Sequence, residues 1–156
     1  MPAARRYRPR KRELKDLALL ASAFGVPQEV MERVEIFEFN WGKAAVVDGR
    51  PLLFWEGEKL YPAIPALLRG ARLPRVIVDM GAVPHVASGA DVMGPGVTAV
   101  DPGIKEGDPV AVVDEKHGKP IAVGVALVPS DNMKAPKGKV VKTLHHVGDK
   151  IWSLSE

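Results

Sequence analysis

Residues 76–97 read VIVDMGAVPHVASGADVMGPGV, and this stretch decides the fold. Three β-forming residues run into Asp79, and a short apolar segment containing Pro84 follows before the chain breaks at Gly89. Proline is accepted in the first turn of a helix, where its missing N–H costs no hydrogen bond. Glycine is favoured where a helix ends, because it adopts a left-handed conformation readily. The pattern therefore predicts a strand, a short helix that begins near Gly81, and a second extended segment that ends in a Gly-Pro-Gly turn.

The turn at Gly89 also predicts where a ligand would approach. A left-handed turn leaves successive backbone N–H groups directed outward, where they can meet a phosphate or the edge of a base. We therefore expect the amides of Gly89, Ala90 and Asp91 to be available for binding.

The residues before this stretch predict a small α/β unit. Asp48-Gly49 between two apolar runs is a strong signal for a β-hairpin. Around that turn the patterns predict, in chain order, a helix over 13–24, a short helix over 27–33, a strand over 34–41, hairpin strands over 43–47 and 51–55, and a helix over 62–69. The aromatic residues near the hairpin are expected to pack in the core of this unit and not to form a stacking platform. They are Trp41, Phe54, Trp55 and Tyr61.

The residues after the central stretch alternate short strands with turns. Strands are predicted over 109–114, 121–127 and 139–145, and residues 149–154 close the chain. Short strands at such spacing indicate a small barrel or sandwich. The junction between the two halves is predicted at residues 70–74, which is short enough that the halves should pack against each other.

The net charge of +3 is unevenly distributed along the 156 residues. The first sixteen residues hold seven Lys or Arg against two acidic residues, and the rest of the chain is slightly acidic. Residues 1–12 lack a hydrophobic period, so they are predicted to form a flexible basic arm. Such an arm is either a solvated tail or a nucleic-acid contact, and its density of cations favours the second interpretation. The cations of this arm are Arg5, Arg6, Arg8, Arg10, Lys11 and Arg12.

Several classes of chemistry find no support in the sequence. Cysteine is absent, which excludes disulfides and thiolate sites and fits an intracellular protein. No phosphate-binding or dinucleotide-binding glycine motif occurs. His145 and His146 are adjacent, so on a strand they point to opposite faces and cannot readily share a metal ion. The longest apolar run, over 17–26, is too short to cross a bilayer. We therefore expect a soluble protein that is not an enzyme and needs no metal or other cofactor.

The C-terminal half resembles a PUA domain, a small RNA-binding β-barrel. The resemblance rests on the central stretch together with the segments IKEGDPVAVVDE, KPIAVGVALVPS and KGKVVKTLHHVGDKIW, and it covers Arg75 to Trp152. Extended upstream through VVDGRPLLFWEGEKLYPAIPALLRG, from about Val34, the chain is similar to the translation-associated family of the malignant-T-cell-amplified protein and the ligatin-type initiation factors. Small stand-alone archaeal proteins of that family are the most similar.

This resemblance implies an α+β fold with three parts. Residues 1–12 would be the flexible basic arm, residues 13–74 a small N-terminal α/β pre-PUA domain, and residues 75–156 a C-terminal PUA β-barrel, or pseudobarrel, on which the pre-PUA domain packs. It also implies a non-catalytic, cytoplasmic protein that binds structured RNA, either tRNA near its acceptor end or rRNA, together with the small ribosomal subunit or a translation factor, and that binds no membrane. An accessory RNA-binding component of an RNA-modification or ribosome-biogenesis complex is the alternative.

The resemblance further implies which residues contact RNA. PUA domains hold RNA with the glycine loop after the helix, the following strand and the last long strand. In this sequence those positions are Ser88, Gly89, Ala90, Asp91, Met93, Pro95 and Gly96, with Lys142 and His145 on the last strand. Residues 75–156 carry nine Lys or Arg against ten Asp or Glu, so contact there would be local and governed by shape, with the basic arm supplying much of the attraction.

Overall fold

A computed structural model of the protein describes residue 3 and residues 5–154, and it divides the chain into two compact units. Unit 1 comprises the residues up to Arg72 together with those from Lys150 onward, and unit 2 comprises residues 73–149. The first boundary between the units follows Arg72 and lies two residues before the boundary predicted after residue 74. The closing residues were predicted to belong to the second domain, but they group with unit 1, where a 3₁₀ turn over Trp152–Leu154 contacts the fourth strand, Arg50–Glu56.

Unit 1 is a five-stranded antiparallel sheet with three helices. Its elements in chain order are β1 (Arg5–Tyr7), α1 (Lys11–Ser22), α2 (Gln28–Met31), β2 (Glu35–Phe39), β3 (Gly42–Val47), β4 (Arg50–Glu56), β5 (Lys59–Pro62) and α3 (Ile64–Leu67). The strands pair in the order in which they occur in the chain. The predicted hairpin is confirmed as β3 and β4, with positive φ angles of 50° at Asp48 and 76° at Gly49. These two angles fit the type of turn that the twist of a hairpin favours.

The core of unit 1 lies between the helices and the sheet. Leu17 and Ala21 of α1 pack with Met31 of α2 and with Ile36 and Leu53 of the strands. The apolar residues of α1 recur at helical spacing, so they lie on one face of the helix, and this face packs against the sheet. The same spacing predicted this helix from the sequence. The predicted aromatic core is confirmed for the stacked pair Phe54 and Tyr61, which are buried, whereas Trp41 and Trp55 are only half-buried.

The basic arm is ordered over its described part, and the prediction of a flexible arm is wrong there. Arg5–Tyr7 form an edge strand on β2, and α1 begins at Lys11. The guanidinium of Arg5 lies 3.6 Å from Glu38 and 4.4 Å from the ring centroid of Tyr7. That of Arg6 lies 3.9 Å from Glu35. These ion pairs and ring contacts add side-chain interactions to the backbone pairing that holds the segment on the sheet.

Unit 2 is a six-stranded sheet, with one short helix, that curls into a nearly closed barrel. Its elements are β6 (Arg75–Val78), α4 (Val83–Ala87), β7 (Val92–Met93), β8 (Val97–Val100), β9 (Pro109–Asp114), β10 (Pro120–Ala126) and β11 (Lys139–His146). The strand order is β7-β11-β10-β9-β6-β8, and only the β6–β9 pair is parallel. The predicted order of strand, short helix, extended segment and Gly-Pro-Gly turn is confirmed, as is the barrel itself.

The interior of unit 2 is filled mainly by small β-branched side chains. Val76, Val78, Val110 and Val112 of the paired strands β6 and β9 are fully buried with Met133. Because consecutive strands are short, each contributes only two or three inward side chains, and closure of the sheet brings them together. Within residues 5–154, no helix is long and apolar enough to cross a membrane.

Candidate nucleic-acid interface

An open cleft of about 740 Å³ lies on unit 2 beside the turn that follows α4. It is walled by α4, by the chain from Gly89 to Gly96, and by the start of β11. The residues that line it are Asp79, Ala82, His85, Val86, Gly89, Ala90, Asp91, Met93, Pro95, Gly96 and Lys139. The structure therefore brings together six of the seven loop residues that the sequence predicted for RNA contact. The seventh, Ser88, is exposed next to the cleft, where its hydroxyl donates to the carbonyl of Pro84.

The first wall begins at Asp79, directly after β6. The Asp79 carboxylate accepts a hydrogen bond of 2.8 Å from the N–H of Ala82, and so satisfies one of the free amides at the start of α4. The backbone N–H of Asp79 donates to the carbonyl of Gly96 at 2.9 Å. One acidic residue thus ties the start of the helix to the Gly-Pro-Gly turn, which fixes the width of the cleft at this end.

The second wall turns at Gly89, whose φ is +102°, as the sequence predicted. A Cβ added at Gly89 would lie 2.9 Å from Nε2 and 3.1 Å from Cδ2 of His146. Nδ1 of that ring lies 3.0 Å from the carbonyl of Ala87 and 2.9 Å from that of Val147, so it carries the proton and donates to them. Glycine is needed here both for its backbone conformation and for the close approach of an imidazole that is held in place.

Two of the three amides predicted to be available at this turn, those of Gly89 and Ala90, are already hydrogen-bonded within the protein. The N–H of Gly89 donates to the carbonyl of Val86, and that of Ala90 donates to the carbonyl of His85, both at 3.0 Å. These bonds satisfy carbonyls at the end of α4 that would otherwise have no partner. The left-handed glycine was predicted correctly, but its N–H and that of Ala90 stabilise the helix end, so a ligand would meet side chains and carbonyls at these positions.

The Gly-Pro-Gly turn closes the cleft from the side of β7. A Cβ at Gly94 would lie 2.3 Å from the carbonyl oxygen of Ala135, and one at Gly96 would lie 3.0 Å from the Cβ of Ala82. The N–H of Gly94 donates to the carbonyl of Gly138 at 2.9 Å. Close packing against the backbone of Ala135 therefore requires glycine at position 94, whereas a side chain at Gly96 would need a small shift of Ala82. Pro95, between the two glycines, and Met93, before them, are exposed towards the cleft.

Asp91 connects the loop to β11 and is already paired. One oxygen of its carboxylate accepts from the N–H of Thr143 at 2.9 Å, and the other lies 3.2 Å from the Nζ atom of Lys139. Burial alone would raise the pKa of the Asp91 carboxyl. The N–H of Thr143 and the ammonium groups of Lys139 and Lys142 outweigh burial, so this pKa lies below its usual value. Asp91 is therefore ionised at neutral pH and holds the cation of Lys139 at the edge of the cleft.

The two predicted residues of β11 differ in accessibility. Lys142 is exposed, and its charge acts on Asp91, which places it near the cleft. The structure corrects the prediction for His145: this side chain is fully buried, and its Nδ1 atom lies 2.9 and 3.0 Å from the two carboxylate oxygens of Asp149. The neighbouring His146 points towards the Gly89 turn instead, as expected for adjacent residues of one strand.

Three polar residues of the cleft, Asp79, His85 and Lys139, were not among the predicted site residues. Asp79 and His85 both precede the predicted loop in the chain. A strand that ends in Asp before a short helix was a sequence signal for Asp79. Lys139 lies at the cleft because it pairs with Met93 in the β11–β7 ladder. That pairing joins residues far apart in the chain, and no local pattern in the sequence indicates it.

Three of the predicted arm cations form a separate basic segment, which we define as Arg10, Lys11 and Arg12. They are exposed at the start of α1, and no acidic side chain pairs with them among the residues that the structure describes. Cations at a helix N-terminus oppose the helix dipole and cost about 0.3–1 kcal/mol each. By contrast Arg8 donates to the backbone carbonyl of Glu32 at 2.7 Å, and Arg5 and Arg6 are paired as described above.

Comparisons with known proteins agree with this architecture. The family model of the PUA domain matches residues 74–148. An uncharacterized protein of Methanocaldococcus jannaschii is 49% identical over 113 residues, which cover 70% of this chain and 68% of that protein. Translation machinery-associated protein 20 of Saccharomyces cerevisiae is 32% identical over 117 residues, which cover 70% of this chain and 65% of that protein. The match therefore spans about two thirds of the length of these relatives.

A crystal structure of a hypothetical protein from Pyrococcus horikoshii is similar over most of the chain. It superposes with a TM-score of 0.79 at 36% identity and covers 97% of this chain and 100% of that chain. Malignant T-cell-amplified sequence 1-B of Xenopus laevis matches at 33% identity over 116 residues, which cover 69% of this chain and 63% of that protein. The family resemblance stated from the sequence is confirmed by these matches.

Proposed function

This chain belongs to the PUA-domain family, and we propose that it binds RNA through the cleft of unit 2 as a non-catalytic component of the translation machinery. The observation that carries this proposal is the convergence of the loop Gly89–Gly96 with Lys139 in one open cleft. Such a cleft offers an exposed methionine and proline for contact with a base, and a fixed cation for a phosphate.

We propose tRNA, bound near its acceptor end, as the RNA. Single-stranded RNA ends can be splayed into a concave site, whereas a regular RNA helix offers mainly its backbone and its shallow groove. Translation machinery-associated protein 20, one of the relatives, is named for the translation machinery, which supports a role on the small ribosomal subunit or with a translation factor in the cytoplasm over a role in RNA modification.

The experiment that tests this function is a binding titration with fluorescently labelled tRNA at several salt concentrations. The basic segment at the start of α1 leads to a quantitative prediction for this titration. Each phosphate contact contributes about 0.7–0.9 to the slope of log affinity against log salt. Replacement of Arg10, Lys11 and Arg12 by alanine should therefore reduce that slope by about 2–3 units.

A matched variant removes the same charge elsewhere. Lys105, Lys116 and Lys134 are exposed on turns of unit 2 outside the cleft. Their replacement by alanine should reduce the slope of log affinity against log salt less than the replacement of the basic segment does. If both triple variants change the slope equally, the basic segment contributes only its net charge and contacts no phosphate. If the parent protein does not bind tRNA at any salt concentration, the proposed function is wrong.

A further inference from the structure

Unit 1 contains a second concave site that the proposed function does not use. It is a pocket of about 150 Å³ between the α1–α2 loop, the β3–β4 hairpin and α3. Its floor consists of apolar residues that belong to the core of unit 1, namely Val26, Val47, Leu52, Ala66 and Ala71. An apolar cavity of about this volume holds a benzene-sized molecule.

The rim of the pocket is fixed by its backbone. The N–H of Arg72 donates to the carbonyl of Phe24 at 2.7 Å, which joins the loop after α1 to the loop after α3. Gly25 and Gly70 have φ angles of +85° and +107° on these two loops. The pocket is therefore formed before any ligand enters, as is usual for sites that bind small molecules.

Two arginines lie on this rim, and only one of them is paired. Arg33 makes a bidentate ion pair with Asp48, with nitrogen–oxygen distances of 3.0–3.2 Å. Arg69 lines the same pocket and has no acidic partner among the residues that the structure describes. The site thus combines an apolar floor with one uncompensated guanidinium, a group whose planar array of donors matches a carboxylate.

We propose that this pocket binds an aliphatic carboxylate, with the apolar group on the floor and the carboxylate against Arg69. A branched chain of four to six carbons matches the volume. Two sources carry this chemistry, a free aliphatic acid and the C-terminal aliphatic residue of a polypeptide. The site does not depend on RNA binding, so its test is independent of the proposed function.

The test is an NMR titration of the full chain, in which the methyl signals of Val26 and Val47 are followed. The probes are 4-methylpentanoate, the uncharged 4-methylpentanol, an acetylated Gly-Gly-Leu peptide with a free carboxylate, and the same peptide with a C-terminal amide. We expect at least one of the two acids to saturate the shifts with a dissociation constant on the order of 1 mM. The alcohol and the amide should bind about ten-fold more weakly.

Two variants complete the test. Arg69→Gln should weaken binding of the acid about ten-fold, because it removes the guanidinium from an exposed position without disturbing the core. Arg72→Gln changes a neighbouring exposed arginine outside the pocket and should bind the acid like the parent. Binding of the free acid alone, or of the peptide, identifies the source. The proposal is overturned if neither acid saturates the shifts below about 20 mM, if the uncharged probes bind equally well, or if Arg69→Gln has no effect.

Discussion

Gly89→Val is expected to reduce the affinity for tRNA about ten-fold or more while unit 2 remains folded. Gly89 has a φ of +102°, where a β-branched residue is strained by about 1–2 kcal/mol. Its new Cβ would lie 2.9 Å from the ring of His146, so either the turn or the imidazole must move. The added methyl groups would also occupy the wall of the cleft between α4 and β11. A loss of about 1.4 kcal/mol of binding free energy corresponds to the ten-fold change.

The control for this variant is Gly103→Val. Gly103 is also in unit 2 with a positive φ, +84°, but nothing lies within 4 Å of its hypothetical Cβ. Both variants should remain folded, Gly89→Val with the lower thermal midpoint because of its contact with His146, and only Gly89→Val should lower the affinity measured at one salt concentration. Equal binding by the two variants would show that RNA does not contact this turn.

Gly124→Ala is expected to have the largest effect on stability, a loss of about 3 kcal/mol in the free energy of unfolding. Gly124 lies at an irregularity of β10 where its register on β11 shifts. A Cβ there would lie 2.4 Å from the carbonyl oxygen of Lys142 and 2.8 Å from a methyl carbon of Val141. Because one of these atoms belongs to the backbone, the methyl group can be accommodated only if β10 and β11 separate.

Urea unfolding of Gly124→Ala and Gly103→Ala would measure this effect. Gly103→Ala carries the cost of a left-handed backbone alone, about 1 kcal/mol, because its surroundings are open. Gly124 is not one of the described glycines that have a positive φ. The destabilisation by alanine at this position would therefore come from the close contact between the strands. A smaller loss for Gly124→Ala than for Gly103→Ala would contradict the packing that we describe for β10 and β11.

The sequence predicted those features that depend on a few neighbouring residues. Asp48-Gly49 predicted its hairpin and Gly89 predicted a left-handed helix end, because each turn demands a backbone conformation that few residues adopt. The short apolar runs of β9 and β10, each bounded by turn residues, predicted strands from local sequence as well. The resemblance to PUA domains then supplied the closure of these strands into a barrel, which no single segment specifies.

Most of what the sequence missed depends on pairing between segments that are distant in the chain. Alternation along β11 did not show that His145 faces inward, where Asp149 is its partner. The basic arm has no hydrophobic period, yet its residues 5–7 pair with β2, and Glu35 and Glu38 compensate the charges of Arg5 and Arg6. Lys139 reaches the cleft only through the pairing of β11 with β7. For the arm and for Lys139 the deciding partner lies outside the window that a sequence pattern covers. Asp149 is only four residues from His145, but which face of β11 is buried depends on its pairing with β10.

Binding of RNA in the cleft can be tested by mapping the contact on the protein itself. Amide signals of the ¹⁵N-labelled protein would be recorded during titration with a hairpin RNA that carries a tRNA acceptor stem and its single-stranded 3′ end. If RNA binds in the cleft, the largest shifts should fall on residues 89–96 and 139–143, while the β9–β10 turn, residues 115–119, should be unchanged. Saturable binding that shifts other residues and leaves 89–96 and 139–143 unchanged would contradict binding in the cleft.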